Sequence, residues 1–233
     1  MNQPAPANVT AGLSIIVPVL NEAGGIVAAL TALQPLRARG AELIVVDGGS
    51  RDATVALARP LADRVLVAAS GRARQMNAGA ALASRELLLF LHADTLLPPA
   101  ADVLIRDAVG ARIGWGRFDV VIDGRSRMLA VIAMMMNLRS RWSGIATGDQ
   151  AIFMHRALLE RVGGFPQQPL MEDVEISRRL RTVQRPVCLR ARVRTSGRRW
   201  ESRGVWRTIF LMWSLRWRYW RGESALRLWK DYQ

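Results

Sequence analysis

The chain has 233 residues, half of them apolar, and a formal net charge of +14. That length allows one large α/β domain or two small ones with ample core material. The single cysteine, Cys188, excludes an internal disulfide framework and a cysteine-based zinc site. The charge is uneven. Residues 1–126 hold 12 Arg against 11 acidic residues, whereas 127–233 hold 20 Arg and one Lys against 8 acids, which places +13 of the excess in the second half. A genome biased towards Arg explains the choice of residue but not its placement, so an anionic partner is expected there: phosphate, nucleic acid or acidic lipid.

No run reaches the roughly 18 apolar residues of a membrane span; MLAVIAMMM (128–136) is half that length. Residues 1–12 lack a basic n-region and an apolar h-region, and read as a flexible leader. A reducing, cytoplasmic location is expected.

From residue 13 the chain alternates short apolar runs with helical spacings. LSIIVPVL (13–20), ELIVVDGG (42–49), RVLVAAS (64–70) and ELLLFL (86–91) predict strands. Between them Ile26, Leu30 and Leu33, then Val55 and Ala58, then Met76, Ala80 and Ala83 recur at intervals of three or four. Continuous apolar strands separated by helices predict a parallel sheet covered on both faces. Right-handed crossovers place the C-terminal strand ends along one edge, where ligands bind in such sheets. Further on, 114–123 and 151–156 predict strands, and 127–140 and 172–183 helices. The alternation of VCLRARVRTSG (187–197) predicts a strand with one exposed face.

Each strand end in the first half carries a polar group. The first ends PVLNE (18–22) and the second VVDGGSRDAT (45–54). Asp52 can cap the next helix, but Asp47 precedes the glycines and has no such structural role to explain it. The third helix opens GRARQMNAGAA, putting Arg72 and Arg74 where a helix N-terminus already favours anions; solvated arginines are the competing reading. Asn77 and Gly79, poor helix residues, point to close packing or contact. The fourth strand runs into His92-Ala93-Asp94. Residues two apart on a strand face the same way, so both side chains are expected to meet one ligand, and the pair suits Mn²⁺ or Mg²⁺.

SIIVPVLNE, IVVDGGSRDAT, GRARQMNAGA, LLFLHADT, TGDQAIFMHR with GGF, and MEDVEISRRLR stand in an order and spacing that resemble a family 2 type, inverting glycosyltransferase of the GT-A fold. The likeness covers roughly residues 13–200. HADT and GRRW further resemble a small bacterial subgroup associated with radical-SAM proteins and linked to arsenosugars. The implied architecture is a Rossmann-like, mostly parallel α/β sheet. Residues 13–112 would form its nucleotide-binding half, 113–200 its acceptor half, and 201–233 a C-terminal basic helical segment.

The resemblance implies roles. Pro18, Asn21, Glu22 and Asp47 would hold the base and ribose of a nucleotide sugar, with Arg72 beside them. Asp94 matches the last acid of the family's DxD motif and would hold a divalent metal, Mn²⁺ or Mg²⁺, on the donor diphosphate. His92 stands where many relatives have Asp, so it either ligates the metal or orients Asp94. Asp173 would be the general base with Glu172 in support, although acids opening a helix are otherwise ordinary. Gly148, Asp149 and Gln150 would line the sugar or acceptor site, and Arg198 or Arg199 would contact the leaving phosphate. The donor is a nucleotide-diphosphate sugar; the acceptor is a small molecule or lipid-linked.

In VWRTIFLMWSLRWRYWR (205–221), Trp206, Ile209, Phe210, Trp213, Trp217 and Trp220 form one helical stripe. Leu211, Met212, Leu215 and Tyr219 fill much of the opposite side. A helix apolar on two sides must bury both: within the monomer, against a second subunit, or in a peripheral membrane interface. Two other functions remain open. A nucleotidyltransferase needs a Gly-rich basic loop near the first strand, which PVLNE does not supply. A nucleic-acid or acidic-surface binding module would use the arginines of 127–233, but no nucleic-acid motif accompanies them, and nucleic acid is not an expected partner.

Overall fold

The computed structural model describes residues 12–232 apart from Ala111, and leaves the Arg199 side chain undescribed. Most of the expected leader lies outside these residues. In chain order the elements are β1 Leu13–Val19, α1 Ile26–Ala38, β2 Glu42–Asp47, α2 Thr54–Ala58, β3 Arg64–Val67, α3 Arg72–Leu82, β4 Leu87–Phe90 and the two-residue β5 Thr95–Leu96. There follow α4 Ala101–Val109, β6 Trp115–Asp123, α5 Met128–Ser143, β7 Ile152–His155, α6 Arg156–Arg161, α7 Glu172–Val183, β8 Val187–Ser196, α8 Arg198–Arg203, α9 Val205–Trp220 and α10 Ala225–Tyr232.

One eight-stranded sheet, ordered β3-β2-β1-β4-β7-β6-β8-β5, takes strands from both halves of the sequence. β3, β2, β1 and β4 are mutually parallel, β7 enters antiparallel to β4 and β6, and β6 and β8 run parallel. Successive side chains on the central strands alternate between two cores. Ile15, Val17, Leu43 and Val45 pack under α1 and α4, with Leu129 and Ala133 of α5. Ile16, Ile44 and Val46 pack under α3, α6 and α7. Burial on both faces is why these strands read as unbroken apolar runs.

Gly79 explains itself in this packing. A Cβ there would stand 2.5 Å from Ile16 Cγ2 and 3.0 Å from Val46 Cγ2, so α3 can lie on the sheet only with glycine at that turn. Pro18 lies beyond Ile16, the last β1 residue paired with β4, so β1 keeps its β2 ladder there but has no β4 neighbour. In open α/β sheets ligands bind outside such strand ends, which makes the loops after β1 and β4 the place to look for a binding cleft.

The C-terminal helices pack on residues 170–174, at the start of α7. Leu215 of α9 and Leu228 of α10 are fully buried with Leu170 and Met171, and Leu211, Met212 and Tyr219 pack around them. Residues of the opposite stripe, Trp206, Phe210, Trp213, Trp217 and Trp220, are 58–77% exposed. One of the two apolar sides is therefore covered within the chain and the other is not. No helix among the described residues is long and apolar enough to cross a membrane.

Candidate active site

The loops after β1 and β2 hold each other. Asn21, at φ 53°, accepts the Arg51 N–H through Oδ1 at 2.9 Å and donates its own backbone N–H to Ser50 Oγ at 2.8 Å. The Glu22 N–H reaches Thr54 Oγ1 and the Ala23 N–H reaches Asp52 Oδ2. Asp52 also accepts the Thr54 N–H at 3.0 Å, but the cap position of α2 is Ala53, so Asp52 stands one residue ahead of the capping place expected of it. Asp47 is 1% exposed and closes its own turn: Oδ2 accepts the Gly49 and Ser50 N–H groups at 2.8 Å and Oδ1 accepts the Ser50 hydroxyl. The expectation that Asp47 lacks a structural role is corrected by these bonds. The chain can supply them because Gly49, at φ 92°, lets the turn fold back.

Gln75 was not singled out from the sequence. Buried on α3, its Nε2 donates to the carbonyls of Val19 and Val46, both at 2.8 Å, and so joins the tips of β1 and β2. The available signal was an amide among Ala73, Met76 and Ala80, on the face of α3 that meets the sheet.

Charges gather across the cleft from these loops. Burial raises the Glu22 carboxyl above its ordinary value; the neighbouring Asp94 and Asp52 raise it further, while Arg198 and Arg72 oppose them. Glu22, Asp94, Arg72 and Arg198 thus share one field, with Asp94 exposed at its mouth. An exposed carboxylate that acts on the same neighbour as two arginines suits a divalent cation carried on a polyanion, since magnesium-type sites use one or two carboxylates and complete their shell with phosphate oxygens. Among the described residues no three His, Cys, Asp or Glu side chains converge as a self-sufficient metal site. Arg199, named with Arg198, has a side chain outside the described ones.

His92 does not follow strand alternation. β4 ends at Phe90, and the Thr95 N–H donates to the His92 carbonyl at 3.1 Å, so 92–95 form a turn. The ring instead lies over Gly148, where a Cβ would come within 2.5 Å of Nε2, and Nδ1 faces Asp149 Oδ1 at 3.2 Å. His92 lines a small cavity with Met76, Phe90, Gly148, Ile152, Phe165, Glu172 and Asp173. The strand alternation expected to aim His92 and Asp94 together is corrected: β4 has already ended, and a turn carries both residues, with His92 in the cavity and Asp94 exposed near Glu22.

Asp173 opens α7 within this cavity. Its Oδ2 accepts the Gly148 N–H at 2.9 Å and its Oδ1 accepts the Val174 N–H at 2.7 Å. Glu172 beside it is 6% exposed. Burial, then the Asp173 charge, push its carboxyl up to about 7, with Arg72 and His92 opposing. Arg72 Nη1 stands 4.0 Å from Glu172 Oε1, so this arginine links the charged cleft to the cavity. Asn77 secures the far wall through a paired clamp: Nδ2 donates to the Phe165 carbonyl and Oδ1 accepts the Phe165 N–H, both at 2.8 Å.

Gln150 is turned away. It is fully buried, its Oε1 accepts the Thr147 N–H and its Nε2 donates to Asn137 Oδ1 at 3.2 Å. Its expected place in an acceptor lining is corrected to that of a pin between the 148–150 segment and α5. Gly148 and Asp149 do border the cavity or touch His92.

Residues 14–127 match the family model described as glycosyl transferase family 2. A PGL/p-HBAD biosynthesis glycosyltransferase of Mycobacterium tuberculosis, and one of Mycobacterium bovis, are each 33% identical over 163 residues, covering 65% of this chain. The match spans 60% of the length of these curated relatives. A mannosyltransferase from Pyrobaculum calidifontis, solved with GDP-Man and Mn²⁺, aligns at TM-score 0.59 and 22% identity, over 82% of this chain and 58% of its own. TarS of S. aureus with UDP-GlcNAc aligns at TM-score 0.64 and 18% identity, over 79% and 58%. Glucosyl-3-phosphoglycerate synthase from Mycobacterium tuberculosis, with Mn²⁺ and UDP, aligns at 0.55 and 16%, over 84% and 77%. The fold of this chain is therefore GT-A, with a family 2 match over its first half.

Proposed function

We propose that this protein is a glycosyltransferase that moves a sugar from a nucleotide-diphosphate sugar to an acceptor hydroxyl, with inversion at the anomeric carbon. One observation carries the reading: Asp173 and Glu172 meet His92 in a cavity that Arg72 joins to the cleft of Glu22, Asp94 and Arg198. A displacement needs its base and its leaving group on opposite sides of one carbon, and these two charge clusters are adjacent without being merged. The solved neighbours that contain GDP-Man, UDP-GlcNAc or Mn²⁺ support the same donor chemistry here.

In this reading Pro18, Asn21 and the turn closed by Asp47 frame the base and ribose. Asp94 would hold a divalent metal together with the donor's phosphate oxygens; when bound, that metal offsets charge on the departing diphosphate. Arg72 and Arg198 contribute forked donors to the same oxygens. Asp173, oriented by the Gly148 N–H, accepts the acceptor hydroxyl proton. Glu172, half protonated near neutrality, can donate a hydrogen bond to the acceptor as well as accept one. His92 positions the Gly148–Asp149 wall. Membership of the radical-SAM-associated, arsenosugar-linked subgroup is part of this proposal and rests on HADT and GRRW alone.

Calorimetry with a panel of nucleoside diphosphates and nucleotide sugars, each with Mn²⁺, Mg²⁺ or chelator, tests the donor site. Metal-dependent binding of one nucleotide is expected; no binding in a folded sample rejects the reading.

The exposed tryptophan stripe of α9 supports a second element of the proposal, peripheral docking at a membrane interface. Five large aromatic side chains stand in solvent on one face, with Arg207 and Arg221 at either end of the helix. Aromatic rings at headgroup level and arginines near anionic lipid are the favourable arrangement. The intact chain should float with anionic liposomes, and replacing Trp213 and Trp217 with serine should release it. A stable homodimer that does not float would assign the stripe to a subunit interface instead.

A further inference from the structure

Two arginines beside the candidate base have buried nitrogens without partners. Nε and Nη2 of Arg139, on α5, and Nε of Arg216, on α9, are shielded from solvent and have no hydrogen-bond partner among the described residues. Arg117, fully buried nearby, shows how this chain satisfies a structural arginine: it donates to Ser140 Oγ and the Asn137 carbonyl and pairs with Asp119. Both residues are half-buried, unlike Arg117, but a guanidinium nitrogen shielded from water is costly to leave unmatched, so the contrast calls for a missing acceptor of hydrogen bonds.

Their placement says where that acceptor sits. Leu215, next to Arg216, packs on Leu170 and Met171, immediately before Glu172 and Asp173. Asn137, two residues from Arg139, accepts from Gln150 and ties α5 to the segment whose Gly148 N–H holds Asp173. The helices α5 and α9 thus border the 148–150 and 170–171 segments, and the charges of Arg139 and Arg216 act on each other and on Asp173 between them. Burial, and then the charge of Arg216, push Arg139 down to about 10; burial also pushes Arg216 down. At about 10, Arg139 stays protonated at neutral pH. Asp173 favours both charges and Asp149 favours that of Arg216. Asp173 is already engaged by two backbone N–H groups, and neither carboxylate bonds the orphaned nitrogens.

We propose that Arg139 and Arg216 form an anion subsite that receives a phosphate or similar oxyanion group of the acceptor, so that the protein acts on anionic acceptors. The word acceptor rests on the glycosyl-transfer reading; the anion subsite does not. Guanidinium forks match tetrahedral oxyanions, and one anion between two cations removes their mutual repulsion. The subsite also gives α9 a task in the chemistry, since the helix delivers Arg216.

The test uses the full chain and inorganic phosphate as probe. Protein saturated with nucleoside diphosphate and Mg²⁺, so that Arg72 and Arg198 are occupied, is titrated with phosphate by calorimetry. One site is expected. Arg139→Gln and Arg216→Gln should each weaken it at least tenfold while nucleoside diphosphate affinity stays unchanged. No phosphate binding, or equal binding by both variants, overturns the subsite. Thermal melting supplies a second readout. Phosphate should raise the melting temperature of the wild type but not of the variants, and in phosphate-free buffer Arg216→Met should melt no lower than the wild type. A markedly lower melt would make Arg216 structural and overturn the proposal. If the wild type binds no nucleoside diphosphate, the donor reading fails, and phosphate titrated alone still reports on Arg139 and Arg216. Finally, phosphate should leave nucleotide-sugar affinity unchanged; displacement of the nucleotide sugar would move the anion to the donor and overturn its assignment to the acceptor.

Discussion

Around the tips of β1 and β2, Asn21 and Asp52 bond from one loop to the other, Asp47 closes its own turn, and Gln75 of α3 joins the two strand ends. Between α5, α7 and α9, guanidinium nitrogens of Arg139 and Arg216 are buried without partners, and Glu172 is buried with its carboxyl pushed to about 7. The first region is preorganised: its polar groups stabilise one another and fix a frame. The second stores unmatched charge that a bound molecule would relieve. Substitutions in the first should therefore cost stability, and substitutions in the second should cost turnover.

The widest separation is expected at Asp173. Asp173→Asn keeps the acceptor oxygen for the Gly148 N–H but loses basicity, so transfer should fall by about 10²–10⁴-fold while nucleoside diphosphate affinity and melting temperature hold. Steady-state kinetics with a binding titration would check both halves; full activity would remove Asp173 as the base.

Glu172 sharpens the comparison through pH. Its folded value, about 7, lies above the ordinary 4.5, so the folded state retains a proton that the unfolded chain has released between those values. The stability contributed is fully present below pH 4.5 and is lost as pH rises through 7. That loss amounts to about 3 kcal/mol at most. Urea unfolding of wild type and Glu172→Gln at the two ends of this window should show the difference only in the wild type. Identical pH slopes would mean that Glu172 titrates normally.

Gln75 tests the frame. Gln75→Leu leaves the Val19 and Val46 carbonyls without their side-chain donor and should destabilise by about 2 kcal/mol, read as a lower urea midpoint, with weaker nucleotide binding. Unchanged stability would deny the amide its joining role.

Gly148→Ala is the mildest. Its Cβ would fall 2.4 Å from His92 Cε1, so the ring must move. A shift of that size should slow transfer by about tenfold without changing nucleoside diphosphate affinity; a fall in that affinity instead would show that His92 serves the donor.

Much of this protein is legible in the residues themselves. The apolar runs of β1, β2 and β4, the helix at 172–183 and the polar strand ends follow from local periodicity and turn chemistry, because a strand buried on both faces and an amphipathic helix leave different patterns in one dimension. Asp94 and Arg72 stand out as polar residues at the end of a strand and the start of a helix, whereas Asp173, one of several acids opening a helix, is marked only by the family resemblance. What the sequence could not settle is what lies opposite. That Asp47 spends its oxygens on its own turn, that Gln150 faces α5 rather than a ligand, and that His92 faces Asp149 depend on backbone directions a residue or two past a strand end. Arg139 and Arg216 lie far apart in the chain and carry no mark separating them from the other arginines. Only the packing of α9 through Leu215 onto Leu170 and Met171, with α5 pinned by Gln150, brings both charges to act on Asp173. Local propensity acts over a few residues, whereas the meaning of a buried charge depends on every element that surrounds it.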